Sequence, residues 1–525
     1  MTMTTGFGSV PAEIIDMIAE SLDVRDIQNV RLVSKVVGSR FTNTTVFLHR
    51  FEAQEIDLSM PSIERLAAIS QHAVLRFAVK RLTVVAVVYD TTLIEDWILA
   101  PDRAPSGRAP GGYDTATVTR VPNSDQAGAP HYLLYYIPRA WNPEQVASAR
   151  NSLGWLQERQ SEQGDQNGPG RPAIVERLAA ILGALEQLTG VRFDGAVSQG
   201  QDALTRINGG TVKGLRHPLL PRQAASALSV TMAALAQAQV GLRSLDIYST
   251  VRGCMIESVA FTQLLDSVDA SCLSKVVSSV TNLALSFSSR IREVKPESER
   301  RIFYPHNQDE IFTYEITPED EYLPGDDPRV LTEDNFSGIP EFLKLMPQLE
   351  TLNFHQFHTL KTVTRAYDVI LSRIIKECRF PKLTRCTLRG LHTTEEMLLQ
   401  FLDNHESLCM LELRYIDLTV GTWDSIFGRL GSMPPLQELR LKDLFAGGLI
   451  NLAPRDDEAS RSESIIESGV QYSNGVHVYT RQFDRNDLER GLKFSTQALG
   501  HALQSYQFGK WFSDRCGECG YFWVE

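Results

Sequence analysis

The sequence carries one spacing that metal or redox chemistry uses, Cys516-Gly517-Glu518-Cys519. A Cys-x-x-Cys pair offers two thiolates, half of a structural zinc site or a dithiol able to cycle through a disulfide. No second such pair exists in the sequence, His477 and His501 stand at no recognisable ligand spacing, and no thioredoxin-like stretch precedes the pair. The two cysteines are therefore expected at a tight turn. The nearby Phe508, Trp511, Phe512, Tyr521, Phe522 and Trp523 are expected to cover an open sheet edge. Neither metal nor cofactor is expected.

Other reactive constellations are missing from the sequence. There is no Gly-x-Ser-x-Gly nucleophile turn, no Walker loop and no His-Glu-x-x-His. The acidic pairs Glu395-Glu396 and Asp456-Asp457 read as a helix start and a solvated loop, not as a dyad sharing a proton. The chain is not expected to be an enzyme. Its formal net charge of -12, from 52 Lys+Arg against 64 Asp+Glu, disfavours a nucleic-acid partner, which would need an excess of cations against phosphate.

With 43% hydrophobic residues the chain can bury a large core. Its seven scattered cysteines suit reduced core thiols of cytosol or nucleus better than a disulfide framework. Residues 1 to 10 hold no basic residue and no long apolar stretch, so a secretory signal is not expected. Between Arg222 and Arg243 an uncharged run rich in Ala, Ser and Gln reads as a buried helix; no membrane span is expected.

The elements that would position a binding surface begin at residue 10. Pro11 suits a first helical position and Glu13 the positive first turn. Ile14, Ile18 and Leu22 recur every fourth residue, widened by Ile15 and Met17. Asp23 is a candidate N-cap for a second helix, with Leu22 and Ile27 as a hydrophobic staple and Ile27, Val30 and Leu32-Val33 as its apolar positions. Ser34 suits the cap of a third, running through Val36, Val37, Phe41 and Phe47. About forty residues are too few to close a core unaided, so this unit must dock its spare apolar surface elsewhere.

This stretch resembles the F-box, which opens Leu-Pro-x-Glu-Ile/Leu, continues with spaced apolar residues, and then gives Asp-Leu and Arg-x-Val-Ser/Cys-Lys. Here stand Val10-Pro11-Ala12-Glu13-Ile14, Ile18, Leu22, Asp26-Ile27 and Arg31-Leu32-Val33-Ser34-Lys35. Val10 and Ile27 replace Leu, and Val37 stands where a larger aromatic is common. The continuation, Glu55-Ile56-Asp57-Leu58-Ser59 with a helix over 62–70, is similar to fungal-type F-box proteins. The resemblance implies docking on the SCF adaptor and, through it, on cullin and RING subunits of a ubiquitin ligase, with an unidentified protein substrate held elsewhere. It makes Val10, Pro11, Ile14, Ile15, Ile18, Leu22, Ile27, Val30 and Val33 the candidate adaptor-binding residues. Some must face the helices' own small core; the sequence does not divide them.

Further on, an apolar spacing recurs: Leu349-x-x-Leu352-x-Phe354, Leu383-x-x-Cys386-x-Leu388, Leu408-x-x-Leu411-x-Leu413 and Leu436-x-x-Leu439-x-Leu441. The last three are 25 and 28 residues apart, within the range of leucine-rich repeats. Amphipathic stripes precede them, as in Tyr367, Ile370, Leu371 and Ile374, or Trp423, Ile426, Phe427 and Leu430. Thr393-x-x-Glu396 reads as a capping box before Leu398, Phe401 and Leu402. Pro347, Pro381 and Pro434 stop a helix before its strand. Val79-Leu82-Val84, Leu242-Leu245-Ile247 and Val280-Leu283-Leu285 are candidate further copies, although so short a spacing also arises by chance.

The expected fold class is α/β: a three-helix F-box over 8–50, then an irregular leucine-rich-repeat-like α/β solenoid. Within it, 51–100 links to a first repeat-like unit, 101–135 is a flexible loop, and 136–294 is repeat-like with a disordered 160–172. An acidic insertion spans 295–330, repeat-like units 331–450, a linker 451–465 and a C-terminal cap 466–525. Two rival readings remain: a non-catalytic scaffold whose N-terminal helices merely cap the repeats, with no exposed apolar surface, and an enzyme with a concave polar pocket.

Overall fold

A computed structural model of the chain describes residues 10–22, 24–91, 94, 95, 98, 118–120, 132–134, 143–167, 170–198, 200, 204–206, 219–249, 256–288, 291, 323, 327–330, 332–357, 366–446, 449–452, 471, 472, 475, 476, 480–492 and 495–497. The fold is α/β. Among these residues, fifteen strands join one mostly parallel sheet.

Nine parallel strands form its spine in chain order: β1 (Ala53–Ile56), β2 (Arg81–Tyr89), β3 (Gly190–Ser198), β4 (Ser244–Ile247), β5 (Asn282–Ser288), β6 (Thr351–Phe357), β7 (Arg385–Arg389), β8 (Met410–Val420) and β9 (Glu438–Phe445). An antiparallel strand, β10 (Thr480–Asp484), pairs with β9. The helices are α1 (Ala12–Ser21), α2 (Val24–Val33), α3 (Lys35–Thr42), α4 (Thr45–His49), α5 (Met60–Gln71), α6 (Pro143–Asn167), α7 (Arg171–Ala184), α8 (Leu220–Ala238), α9 (Ser258–Ser267), α10 (Ala270–Val277), α11 (Gly338–Lys344), α12 (Ala366–Glu377), α13 (Glu395–Asn404), α14 (Trp423–Gly431) and α15 (Arg485–Glu489).

The apolar spacing of the sequence becomes two continuous rows on one face of the sheet. Leu82, Val191, Leu245, Leu283, Leu352, Cys386, Leu411 and Leu439 are register partners from β2 to β9. Val84, Phe193, Ile247, Leu285, Phe354, Leu388, Leu413 and Leu441 form the second row. All sixteen are buried, as are the residues three positions before the first row, among them Val79, Leu188, Leu242, Val280, Leu349, Leu383, Leu408 and Leu436. Alternation along a strand sends every second side chain to one face, so an L-x-x-L-x-L spacing delivers one unbroken core from eight separate segments. The three candidate copies at 79, 242 and 280 are members of these rows. So is Leu188-x-x-Val191-x-Phe193, which the sequence reading missed.

A backbone device repeats with the rows. One carbonyl just before each strand accepts from two successive N–H groups of the next unit. Glu52 accepts from Lys80 and Arg81, Lys80 from Thr189 and Gly190, and Thr189 from Arg243 and Ser244. The same shared carbonyl recurs at each later step, ending with Cys409 accepting from Gln437 and Glu438. A second recurrence lies past the strand centres: Gly390, Tyr415 and Asp443 all have positive φ two residues after Leu388, Leu413 and Leu441. That conformation disfavours residues with a Cβ, and here it turns the chain so that Leu391, Ile416 and Leu444 are buried beyond the bend.

The helices behave as their stripes predict. Ile370, Leu371 and Ile374 of α12, and Trp423, Ile426, Phe427 and Leu430 of α14, are buried; the Tyr367 side chain lies outside the described residues. Helix α8 covers the run read as a buried helix, and no helix among the described residues is long and apolar enough to cross a membrane. Gly338, first residue of α11, is demanded by packing: a Cβ there would stand 2.2 Å from the backbone N of Thr262 in α9.

Several expectations are corrected. Of the stretch 160–172, residues 160–167 and 171–172 are helical and not disordered: α6 continues to Asn167 and α7 begins at Arg171. Its Gln and Glu residues are adequate helix formers, and tertiary contacts supply the rest. The third N-terminal segment is two helices, because Thr44 breaks it and its side chain accepts from the Phe47 N–H. The cap of α13 is Thr394, one residue later than expected, its hydroxyl accepting from the Met397 N–H. Pro11 sits one position before the first turn of α1. Within 101–135, Val118–Arg120 and Tyr132–Leu134 pair as antiparallel strands. The rest of that loop, most of the acidic insertion, the Asp23 cap, and Cys516, Cys519 and their aromatic neighbours lie outside the described residues.

Candidate functional site

Two surfaces follow from this architecture. The first lies on α1–α4. Ile15 and Ala19 of α1 meet Phe41 of α3 and Phe47 of α4 in the common core, with Val10, Ile18, Leu22, Val30 and Val37 packed partly buried against it. Ser34 caps α3, its hydroxyl accepting from the Val37 N–H at 3.2 Å. Asp16 ties the ends together by accepting from the Thr45 N–H at 2.9 Å, and Arg50 donates to the Leu22 carbonyl at 3.3 Å.

This packing divides the candidate residues. Ile15, Ile18, Leu22 and Val30 serve the internal core, Ile15 completely and the others in part, with Val10 beside them. Pro11, Ile14 and Val33 are exposed. The Ile27 side chain lies outside the described residues. Exposed apolar area is concentrated here: Ile14 is 44% accessible, Met17 64%, Leu32 84%, Val33 74% and Val36 61%. Leaving such side chains in water forgoes on the order of 1 kcal/mol or more apiece relative to burial. Met17 and Leu32 were in the helical pattern but not among the named candidates, nor was Val36; only the docking of α3 and α4 on the opposite side of α1 tells them apart. A scaffold whose N-terminal helices only cap the repeats predicts no such surface.

The second surface is the sheet face opposite the helix-facing rows. Along β2 it is apolar: Val85, Val87 and Tyr89, with Ala196 of β3, pack against Ala149 and Leu156 of α6, while β3 also sets Arg192, Asp194 and Ser198 on this face. Trp155 meets Tyr89 edge-on at 5.6 Å between ring centroids. Short β1 stops at the level of Val84, leaving the later carbonyls on that edge of β2 without a strand. Gln163 and Gln160 of α6 donate to the carbonyls of Val87 and Tyr89, each at 2.7 Å. A cavity of about 20 Å³ lies beside these elements, lined in part by Asp57, Gln163 and Gln223; it has room for roughly one water.

Over β7–β9 the same face is polar. Thr387, Glu412 and Arg440 form one row, and Arg389, Arg414 and Lys442 the next. Glu412 is buried, ion-paired with Arg414 and accepting from the Thr387 hydroxyl at 3.3 Å. Glu438 pairs with Arg440 at 2.6 Å and accepts from Gln482 at 2.8 Å.

Titratable groups elsewhere are structural. Burial pushes the Cys378 thiol up to about 12 and raises that of Cys386 further, so neither supplies a thiolate at neutral pH. His405 is buried between Phe380 and Phe401, at 5.7 and 4.5 Å between centroids, and its Nδ1–H donates to the Phe401 carbonyl at 2.8 Å. Desolvation holds its pKa below the ordinary histidine value. No cluster of three or more potential metal ligands occurs among the described residues. The sequence matches no protein-family model and no curated protein.

Proposed function

We propose that this chain is a substrate-recognition subunit of an SCF-type ubiquitin ligase. Residues 10–49 dock on the SCF adaptor, linking the chain to cullin and RING subunits, and the sheet holds a protein substrate. The observation that carries this reading is the exposure of Ile14, Met17, Leu32, Val33 and Val36 on the helices that bear the F-box-like residues. An apolar surface of this kind on a small helical unit is what a partner interface requires. The sheet would be a stack of irregular leucine-rich-repeat-like units; its chain-order strands and repeated shared carbonyls support that. The chain donates no reacting group. It accelerates ubiquitin transfer by raising the effective concentration of substrate at the charged enzyme, in cytosol or nucleus where its thiols stay reduced.

The test is capture of the full-length chain by purified SCF adaptor, beside Ile14→Asp and Val33→Asp. Both positions are exposed, so the folded state tolerates the change, and matching circular dichroism checks that. Wild type should bind and each variant should lose at least about tenfold in affinity, a charge in a desolvated apolar contact costing more than 1.4 kcal/mol. Failure of the wild type to bind where an established F-box protein does would hand first place to the non-catalytic scaffold.

A further inference from the structure

The polar face of the sheet carries an arrangement that the adaptor-docking reading does not use. In the five adjacent strands β5–β9, one register row reads Ser286, His355, Arg389, Arg414, Lys442. Three basic side chains thus stand side by side on β7, β8 and β9, and no acid occupies that row. All three are half-buried. Like charges directly opposite on neighbouring strands work against folding. Glu412, one row back, is ion-paired with Arg414 and is itself tied to Thr387. Lys442 also lies over the Tyr415 ring at 5.8 Å.

The local sign opposes the global one. A chain of net charge -12 repels anions at long range, yet aligns three cationic side chains on this face of the sheet. We infer that the row Arg389–Arg414–Lys442 seats a carboxylate-rich segment of the protein that this chain recruits. The inference rests on the substrate-binding half of the function proposed above. Two interstrand spacings make the row about 10 Å long, which matches two or three successive carboxylates and is short for a nucleic-acid backbone. The two guanidinium groups offer planar forks that carboxylates fill with paired hydrogen bonds, and the lysine adds a point charge. Arg414 is held by Glu412, and Arg389 and Lys442 flank it.

The test is fluorescence anisotropy with labelled hexaglutamate and hexaglutamine on the full-length chain at low salt. Hexaglutamate should bind and hexaglutamine should not, and salt at about 0.15 M should weaken binding, since charges at a partly open face are screened. Arg389→Gln with Lys442→Gln should weaken hexaglutamate binding at least about tenfold. Arg389→Lys with Lys442→Arg should retain most of it. Arg414 is left alone because its loss strands a buried carboxylate. Melting temperatures of both double variants should not fall below the parent's, so lost binding is not lost folding.

Absence of hexaglutamate binding, or equal binding by the double glutamine variant, would overturn the inference. A phosphoserine peptide or a single-stranded oligonucleotide binding where hexaglutamate does not would overturn the carboxylate assignment. Ile14→Asp separates the two readings: it should abolish adaptor capture and leave hexaglutamate binding unchanged. If wild type is captured by the adaptor but binds no hexaglutamate, this inference alone falls. If it binds hexaglutamate but no adaptor, the ligase reading falls and the acidic-segment site stands.

Discussion

Strands β2–β3 and strands β7–β9 are built by the same rule and finished by different ones. Both place Leu-like residues in the same two buried rows and hang each strand from its neighbour's shared carbonyl. They differ at the alternate positions. Val85, Val87 and Tyr89 of β2, with Ala196 of β3, make that part of the first pair's second face a core closed by α6. Thr387, Arg389, Glu412, Arg414, Arg440 and Lys442 leave the second trio's face polar. The ladder therefore decides where strands go, and the side chains between its rungs decide whether a face is interior or surface.

One charge placed on that face in each region should break the symmetry most sharply. Val85→Asp puts a carboxylate into an apolar layer and should cost about 3–5 kcal/mol, read as a lower denaturation midpoint. Thr387→Lys, which sets a cation opposite Glu412 at the half-buried polar position of β7, should change stability by about 1 kcal/mol or less. Equal losses at both sites would mean that the faces do not differ as described.

A smaller effect is expected where α6 meets β2. Gln160→Leu and Gln163→Leu each leave a strand carbonyl unanswered and should destabilise by about 1–2 kcal/mol, with faster amide exchange confined to β2 and α6. Exchange spreading to β7–β9 would show the two regions unfolding as one.

The smallest effect at neutral pH, emerging only in acid, belongs to His405. Its folded pKa lies below its unfolded value near 6.5, so the unfolded chain binds the extra proton. Its contribution is present above that pH and is lost as the pH falls below it. Amides of β7 and β8, beside α13, should therefore open before those of β2 and β3 at about pH 5, and His405→Gln should remove the difference. An unchanged order of opening in the variant would assign the acid sensitivity elsewhere.

Much of this was legible in the residues. The copies at 349, 383, 408 and 436 announce themselves, and those at 79, 242 and 280 fall into the same rows. Leu188-x-x-Val191-x-Phe193 carries the same spacing and went unread because a long insertion parts it from Leu82, its neighbour in space. The polar end of α6 was not legible as structure. Gln160 and Gln163 look like loop residues until the edge carbonyls of β2 are in view, and those are set by where β1 stops. Adjacent Ile14 and Ile15 were equally unreadable as outside and inside, since only α3 and α4 choose between them. The alignment of Arg389, Arg414 and Lys442 exists only once register is known.

The shared carbonyls carry a consequence for how such a chain can change over generations. Each sets the height of one newcomer against one predecessor, so the length of the intervening chain has no bearing on alignment. Between Tyr89 and Gly190 the polypeptide leaves, builds α6 and α7, and returns to the rung that a tight connection would have met. Connections between strands can thus lengthen without renegotiating the rest, because the ruler is read locally at every step.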